Sequence, residues 1–481
     1  MESDADRRRR GGAEDFISRL PDEILHSILL RLPSTAAAVR TSLLSRRWRK
    51  VWAHMPELVL GGQSPAPASF ALLDSVDSAL SAYSAPTLRR LEICLDRGGR
   101  FSFPARRVAP WLLFSSQRLA GGLELRLPLP GAAREGDKED IFLPICERAT
   151  EIKLFFSASF VLRPSPTGSF TELTELVILC AIMDGREMGR VVSSRCPRLR
   201  KLVIVVQLVA ACDVSICSES IKSLHYYAGA ESGSTRKLEV VAPRLTKISV
   251  SLATEAYIVA PKLEKVIWHD DPYYPSRHQF AVAGRHIQRL WITQSAVLLM
   301  RLFDTVNELR LDLSIPQGME GYMSFLKDTD KLPVCETLSV SVVDHHALAP
   351  KMFHLLRRCS CIRKLKLHLG HGPPLKTRPC MARGCPCRLP GNYKVDKITF
   401  DSLEEIELFA FRGSATQEQF VELLLSRCDT GTFKKLDINV EPYPVSSAIM
   451  VVCERIRSMC HPNCKVGFHV FTQKGRVTFS S

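Results

Sequence analysis

Between residues 359 and 387 the chain reads CSCIRKLKLHLGHGPPLKTRPCMARGCPC, a stretch rich in side chains that bind soft metals. Cys380, Cys385 and Cys387, with Cys359, Cys361, His368 and His371 nearby, supply enough sulfur and imidazole for a tetrahedral zinc site. The spacing fits poorly. Two Cys-x-Cys pairs and a Cys-x4-Cys stand where structural zinc sites use paired Cys-x2-Cys knuckles, and burial against an aliphatic segment accounts for Cys359 and Cys361. The segment is read as a loop inserted at about residues 370–392, with no metal assigned. Two further clusters, Trp268-His269-Asp270-Asp271 within WHDDPYYP and Asp344-His345-His346, follow aliphatic runs. A solvated turn and a binding hot spot both fit them.

No catalytic signature accompanies these groups. The sequence lacks a Gly-x-Ser-x-Gly elbow, a His-Glu-x-x-His pair, a phosphate loop ending in Gly-Lys-Ser/Thr and a Gly-x-Gly-x-x-Gly turn. A non-catalytic chain without cofactor is expected.

The elements that would carry a function are more legible. The 481 residues are too many for one ordinary compact core, so several domains or an extended repeat array are expected. A hydrophobic fraction of 46% and a charged fraction of 24% are those of a packed soluble chain. Residues 1–15, MESDADRRRRGGAED, lack the apolar centre of a secretory signal, and the longest apolar stretch, LVIVVQLVAAC, falls short of the roughly 18 residues of a membrane span. An intracellular chain, in nucleus or cytoplasm, with no membrane partner is expected; the 16 cysteines then act mostly as small buried hydrophobes. The net charge of +15 permits an anionic partner without requiring one, and Arg7 to Arg10 is read as part of a solvated, disordered arm over residues 1–15.

Residues 20–52, LPDEILHSILLRLPSTAAAVRTSLLSRRWRKVW, predict three helices. Pro21 suits the first helical position, Asp22 and Glu23 suit the positive end of the helix dipole, and Ile24, Leu25, Ile28, Leu29 and Leu32 form one stripe before Pro33 stops the helix. Leu20 is a poor N-cap, so an apolar contact is expected to hold it. Ser34 or Thr35 can cap a second helix with Ala36, Val39 and Leu43 on one face, and Ser45 a third with Trp48, Val51, Trp52 and Met55 on one face and Arg46, Arg47, Arg49 and Lys50 on the others. So small a unit buries little apolar surface by itself, and part of its stripe is expected to meet another element or another protein.

This segment closely resembles the F-box. The family pattern is met by Leu20, Pro21, Ile24, Leu25, Ile28, Leu29, Leu32, Pro33, Leu43, Ser45, Trp48 and Trp52, although Thr35-Ala36-Ala37-Ala38 stands where many members carry a charge before the second helix. The resemblance implies a three-helix module whose matched residues bind the Skp-type adaptor of a cullin-based ubiquitin ligase.

From residue 85 one phrase recurs, an aliphatic, two polar residues, an aliphatic, one residue and an aliphatic. It reads LRRLEI at Leu88, LTELVI at Leu173, LRKLVI at Leu199, IKSLHY at Ile221, LTKISV at Leu245 and LEKVIW at Leu263. It returns as IQRLWI at Ile287, VNELRL at Val306, IRKLKL at Ile362, LEEIEL at Leu403 and FKKLDI at Phe433. From Leu173 to Val306 the intervals are 26, 22, 24, 18, 24 and 19 residues. Such periods with this core mark leucine-rich repeats, each adding one strand to a curved parallel sheet, with Leu202 and Leu309 inaccessible and Arg200, Glu264 and Lys366 outward. Loops and short helices of uneven length are expected on the convex side, and Leu72, Leu73, Val76 and Leu80 predict an amphipathic capping helix over residues 68–83.

From about Asp396 the order FDSLEEIELFAFRG, a helix at Glu418–Arg427, KKLDINV, a helix at Ser446–Met459 and KVGFHVF resembles the FBD region of plant F-box proteins. The expected fold is α/β: a disordered basic arm at 1–15, the F-box at 16–60, a linker and capping helix at 61–84, an irregular repeat solenoid at 85–395 and an FBD-like closing region at 396–481. The resemblance implies a substrate-recognition subunit of a Skp/cullin/F-box ubiquitin ligase that holds an unidentified protein substrate on its repeats. A basic repeat protein that contacts nucleic acid through Arg7 to Arg10 and Arg46 to Lys50, or one that senses a small ligand, is the alternative.

Overall fold

The computed structural model describes residues 20–32, 34–44, 47–61, 70–95, 104–128, 138–156, 159–229, 234–269, 271–314, 319–342, 348–359, 361–370, 399–441, 445–472 and 475–479. The arm with Arg7 to Arg10, and Pro33, Ser45, Arg46, Asp270, Asp344, His345, His346, His371, Cys380, Cys385 and Cys387, lie outside them. The chain divides into two compact units, Met1–Pro243 and Arg244–Ser481.

The first unit opens with α1 (Asp22–Leu29), α2 (Thr35–Arg40) and α3 (Trp48–Val51), with turns of 3-10 helix at Thr41–Leu43 and Trp52–His54. There follow β1 (Glu57–Gly61), α4 (Phe70–Ala82), β2 (Leu88–Cys94), α5 (Ala105–Arg118), β3 (Leu119–Arg126), β4 (Glu139–Leu143), β5 (Glu151–Phe155), β6 (Phe160–Pro164) and β7 (Glu175–Met183). Next come α6 (Gly185–Arg195), β8 (Lys201–Leu208), β9 (Cys212–Cys217), β10 (Ser223–Gly229) and β11 (Thr235–Val241). A parallel ladder runs β1–β2–β3–β5–β7–β8–β10. Its register stacks Leu58, Leu91, Leu123, Ile152, Leu176, Leu202 and Leu224 in one buried row. Burying such a row removes the apolar face of every strand from water, which no single repeat can do alone.

The second unit contains β12 (Lys247–Ser251), β13 (Ala253–Val259), β14 (Lys265–Trp268), β15 (His278–Phe280), β16 (His286–Thr293), a 3-10 segment at Gln294–Leu302, β17 (Thr305–Leu313), α7 (Met319–Asp328) and β18 (Val334–Val342). It continues with α8 (Leu348–Arg358), β19 (Lys364–His368), β20 (Glu405–Phe411), α9 (Ala415–Leu425), β21 (Lys435–Val440), α10 (Ser447–Met459), β22 (Lys465–Thr472) and β23 (Gly475–Phe479). Its parallel ladder runs β12–β14–β16–β17–β18–β19–β20–β21–β22, and β23 turns back antiparallel along β22. Ile248, Val266, Leu290, Leu309, Leu338, Leu365, Ile406 and Leu436 form its inner row.

All eleven repeated phrases are strands, and Leu202 and Leu309 are fully buried as expected. Five further ladder strands lie outside the phrase: β22, expected as the strand KVGFHVF, and β1, β3, β5 and β18, which were not expected. In β5 and β18 the phrase's first position is Ala149 and Cys335, both buried, and β3 carries one extra residue, so that Leu88 faces Leu119 while Arg90 faces Gly122. The insertion is a glycine for a reason: a Cβ on Gly121 would sit 2.1 Å from the Arg89 carbonyl oxygen.

The far side of the turns departs from expectation. Helices α5, α6, α8, α9 and α10 lie in some turns, but β4 pairs with β6, β9 with β11 and β13 with β15, all parallel. Their alternating segments, such as CDVSIC with every second residue buried, pack a second face of strands where loops and short helices were predicted. The segment assigned to the F-box, residues 16–60, already contributes β1 to the ladder through Leu58 and Leu60, so the front module and the repeats share a sheet. The predicted capping helix is α4, with Leu73, Val76 and Leu80 buried. Among the described residues no helix is long and apolar enough to cross a membrane.

Candidate functional site

The front module is built around Leu25 and Leu29 of α1, Ala38 of α2 and Trp48, Val51, Trp52, Ala53 and Met55, with Leu20, Leu32 and Val39 packed against them. The first helix begins one residue later than predicted. Pro21 is its N-cap, with no side-chain cap. The chain entry is fixed instead by the apolar contact of Leu20 and by Arg47, which donates to the Leu20 carbonyl at 2.6 Å and to Asp22 Oδ1 at 2.5 Å. His26 Nε2 lies 2.9 Å from the Val51 carbonyl and ties α1 to α3.

Ser34 caps α2, accepting from the Ala37 N–H at 3.3 Å, as its position predicts. The buried face differs from the predicted one. Thr35 and Ala38 point inward, Ala36 is exposed, and Leu43 is 85% exposed in the 3-10 turn that ends the helix. Thr35 Oγ1 accepts from the Val59 N–H at 2.7 Å, joining α2 to β1.

The twelve residues of the F-box pattern therefore divide. Leu25, Leu29, Trp48 and Trp52 fill the module's own core, and Leu20 and Leu32 are partly buried on it. Pro21, Ile24 and Ile28 face solvent on α1, at 47% and 42% exposure for the two isoleucines. Leu43 is joined in exposure by Leu44 at 71%, a residue outside the pattern whose neighbour's identity was its only signal. Ile24 and Ile28, four residues apart, thus make an exposed apolar pair on one side of the helix. The tryptophans form no exposed ridge, and Arg47 is committed to Asp22 and Leu20.

Of the cysteine and histidine candidates, only Cys359, Cys361 and His368 lie among the described residues. Cys359 is buried, and its contact with the Cys335 thiol, together with burial, pushes it well above the usual thiol range. His368 stacks on the Phe409 ring at 4.3 Å. Among the described residues no three His, Cys, Asp or Glu side chains are placed to hold a metal ion. In WHDDPYYP the solvated-turn reading fails for Trp268 and Tyr273, which are buried in an aromatic cluster with His278 and Phe280.

A second surface is the outward face of the second ladder, on which alternation placed Lys366 but left its aromatic unremarked. Its Trp291, on β16, lies beneath the Arg310 guanidinium of β17. The middle positions of the repeated phrase were the signal, since in register they stand side by side.

Residues 17–60 match the F-box domain family. An F-box protein of Arabidopsis thaliana is 26% identical over 240 residues, 50% of this chain and 67% of that one. An F-box/LRR-repeat protein of the same plant is 35% identical over 202 residues, 40% of this chain and 38% of its own length. A putative FBD-associated F-box protein, also from Arabidopsis thaliana, is 27% identical over 212 residues, 44% of this chain and 47% of its own. The chain thus spans less than half the length of the latter two.

Proposed function

We infer that this plant F-box protein, with leucine-rich repeats and an FBD-like end, is the substrate-recognition subunit of a Skp/cullin/F-box ubiquitin ligase. Its front module docks a Skp-type adaptor, and through it a cullin, by Pro21, Ile24, Ile28, Leu43 and Leu44, while Leu25, Leu29, Trp48 and Trp52 hold that surface in shape. The outward faces of the repeat strands hold a protein substrate. No residue of the chain performs ubiquitin transfer.

The observation that carries this reading is the exposure of Ile24 and Ile28 on a helix whose other stripe is fully buried. Aliphatics that stay in water on a well-formed helix gain free energy only when a partner covers them, by about 25 cal/mol per Å² of apolar surface. Affinity purification of the intact chain beside a form lacking residues 16–56, and beside Ile24→Asp/Ile28→Asp, tests it. A ligase core recovered with the intact chain and absent from both others is the expected result. Equal recovery with a folded Ile24→Asp/Ile28→Asp chain would sink the docking surface.

A further inference from the structure

The ladder of the second unit brings three cations into line. Lys247 on β12 stands beside Lys265 on β14, and Lys265 beside Arg289 on β16. Neighbouring strands lie about 4.8 Å apart, so the file is a ribbon of positive charge crossing the strands. Glu308, next in register, takes Arg289 at 2.7 Å. Neither Lys247 nor Lys265 has an ion-pair partner among the described residues, although nearly all the cations further along the same face are paired. Beyond Glu308 the file continues with Lys364, Glu405, Lys435 and Lys465, so it carries six basic residues and two acidic ones. The equivalent file of the first unit, with Glu57, Arg90, Glu151, Glu175 and Lys201, carries three acids and two bases.

Two residues along each strand, on the same face, Ile267 and Trp291 stand half-buried beside Lys265 and Arg289. Trp291 is held rigid, its indole N–H donated to Asp312 at 2.5 Å and its ring covered by Arg310 at 3.9 Å. An ordered aromatic on the same face as two uncompensated lysines, Lys247 and Lys265, is the composition of a hot spot for a partner with negative charge and an apolar side chain.

We propose that this corner captures an acidic segment of the protein substrate, its carboxylates along Lys247, Lys265 and Arg289 and an apolar side chain on Ile267 and Trp291. The proposal rests on the reading that the repeats hold a protein. A nucleic acid is disfavoured because Glu308, Asp312, Glu405 and Glu407 share the face and repel a continuous phosphate backbone, whereas a peptide places its charges discretely.

Fluorescence anisotropy on the full chain tests it with three labelled probes: a Glu-rich peptide with one central leucine, its Gln counterpart, and a single-stranded RNA of equal length. The Glu peptide should bind best, weaken with salt, and weaken about tenfold in Lys247→Glu/Lys265→Glu. Because neither lysine is paired, that variant should keep its thermal midpoint; should it fail to fold, Lys247→Gln/Lys265→Gln serves, with a smaller loss. Equal binding of Glu and Gln peptides, or an undiminished variant, overturns the proposal, and tighter binding of RNA overturns it in favour of nucleic acid. The same variants should still capture the adaptor. If the wild-type chain binds the Glu peptide but no adaptor, the ligase reading fails while the acidic-segment surface stands.

Discussion

The guanidinium carbon of Arg310 lies 3.9 Å from the centre of the Trp291 ring, and both residues are bound by one carboxylate, Asp312. The relation is a product of register: on adjacent parallel strands Trp291 faces Arg310 and Thr293 faces Asp312, so the carboxylate reaches diagonally back to the indole N–H. His269 completes the group, its ring edge-on to the indole at 4.5 Å. Cation–π contacts contribute about 0.5–1 kcal/mol at exposed sites and up to about 2 when desolvated.

Removing the carboxylate should loosen both neighbours. Asp312→Ala leaves a half-buried indole N–H without its acceptor and is expected to cost about 1–2 kcal/mol in urea unfolding, with a shift in the near-ultraviolet circular dichroism of tryptophan. Asp312→Asn keeps an acceptor and should lose less. An unchanged aromatic spectrum in Asp312→Ala would show that the carboxylate does not order the ring.

Two adjacent glycines should respond in opposite ways. A Cβ at Gly121 meets the Arg89 carbonyl at 2.1 Å, whereas one at Gly122 meets nothing within 4 Å. Gly121→Ala should destabilise by about 1–3 kcal/mol because backbone has to move, and Gly122→Ala should be neutral or gain a few tenths by restricting the unfolded chain. Denaturant midpoints of the two variants decide the matter.

Within the front module, burial separates folding from docking. Trp48→Ala should cost about 3–5 kcal/mol and weaken every contact of α3, whereas Leu43→Ala, at a solvated position, should stay within about 0.5 kcal/mol. Comparable losses of thermal stability in the two variants would contradict the assigned burial.

The imidazole of His278 predicts a pH dependence. Burial lowers its pKa, outweighing the Ala253 and Thr254 carbonyls and the Asp271 charge, while Arg277 lowers it further. Its Nδ1 accepts from the Tyr274 N–H at 3.0 Å, a bond that only the neutral ring makes. The unfolded ring titrates near 6.5, so the stability due to the neutral form is present above that pH and is lost as pH falls from about 6.5 through the lower folded value. His354, also lowered by burial first, adds in the same sense. The thermal midpoint should therefore drop between pH 7.5 and pH 5.5, and His278→Gln should shrink that drop even though it lowers the midpoint itself. A variant with an undiminished pH dependence would assign the effect elsewhere.

What the linear pattern determined by itself were the rows that face inward. Leu202, Leu224 and Leu309 are buried because an aliphatic-x-aliphatic phrase in a strand puts its ends on one side, whatever the partner strand is. The cap of α2 and the stripe of α3 were legible at Ser34, Trp48 and Trp52 for the same local reason, whereas the inward face of α2, Thr35 and Ala38, was not. Tertiary structure decided the rest. Which side of α1 stays open is settled by α3 closing on Leu25 and Leu29 and by Arg47 reaching back to Leu20, contacts between residues more than twenty positions apart. That Ala149 and Cys335 begin strands like any leucine, and that Gly121 absorbs an extra residue, depends on what neighbouring strands leave room for. Lys247, Lys265 and Arg289, spaced by 18 and 24 residues, become one charged file only because parallel register sets them side by side. Alternation fixes the face on which a side chain lies, but its neighbours across the sheet are chosen by the lengths of the turns between strands, which carry no periodicity to read.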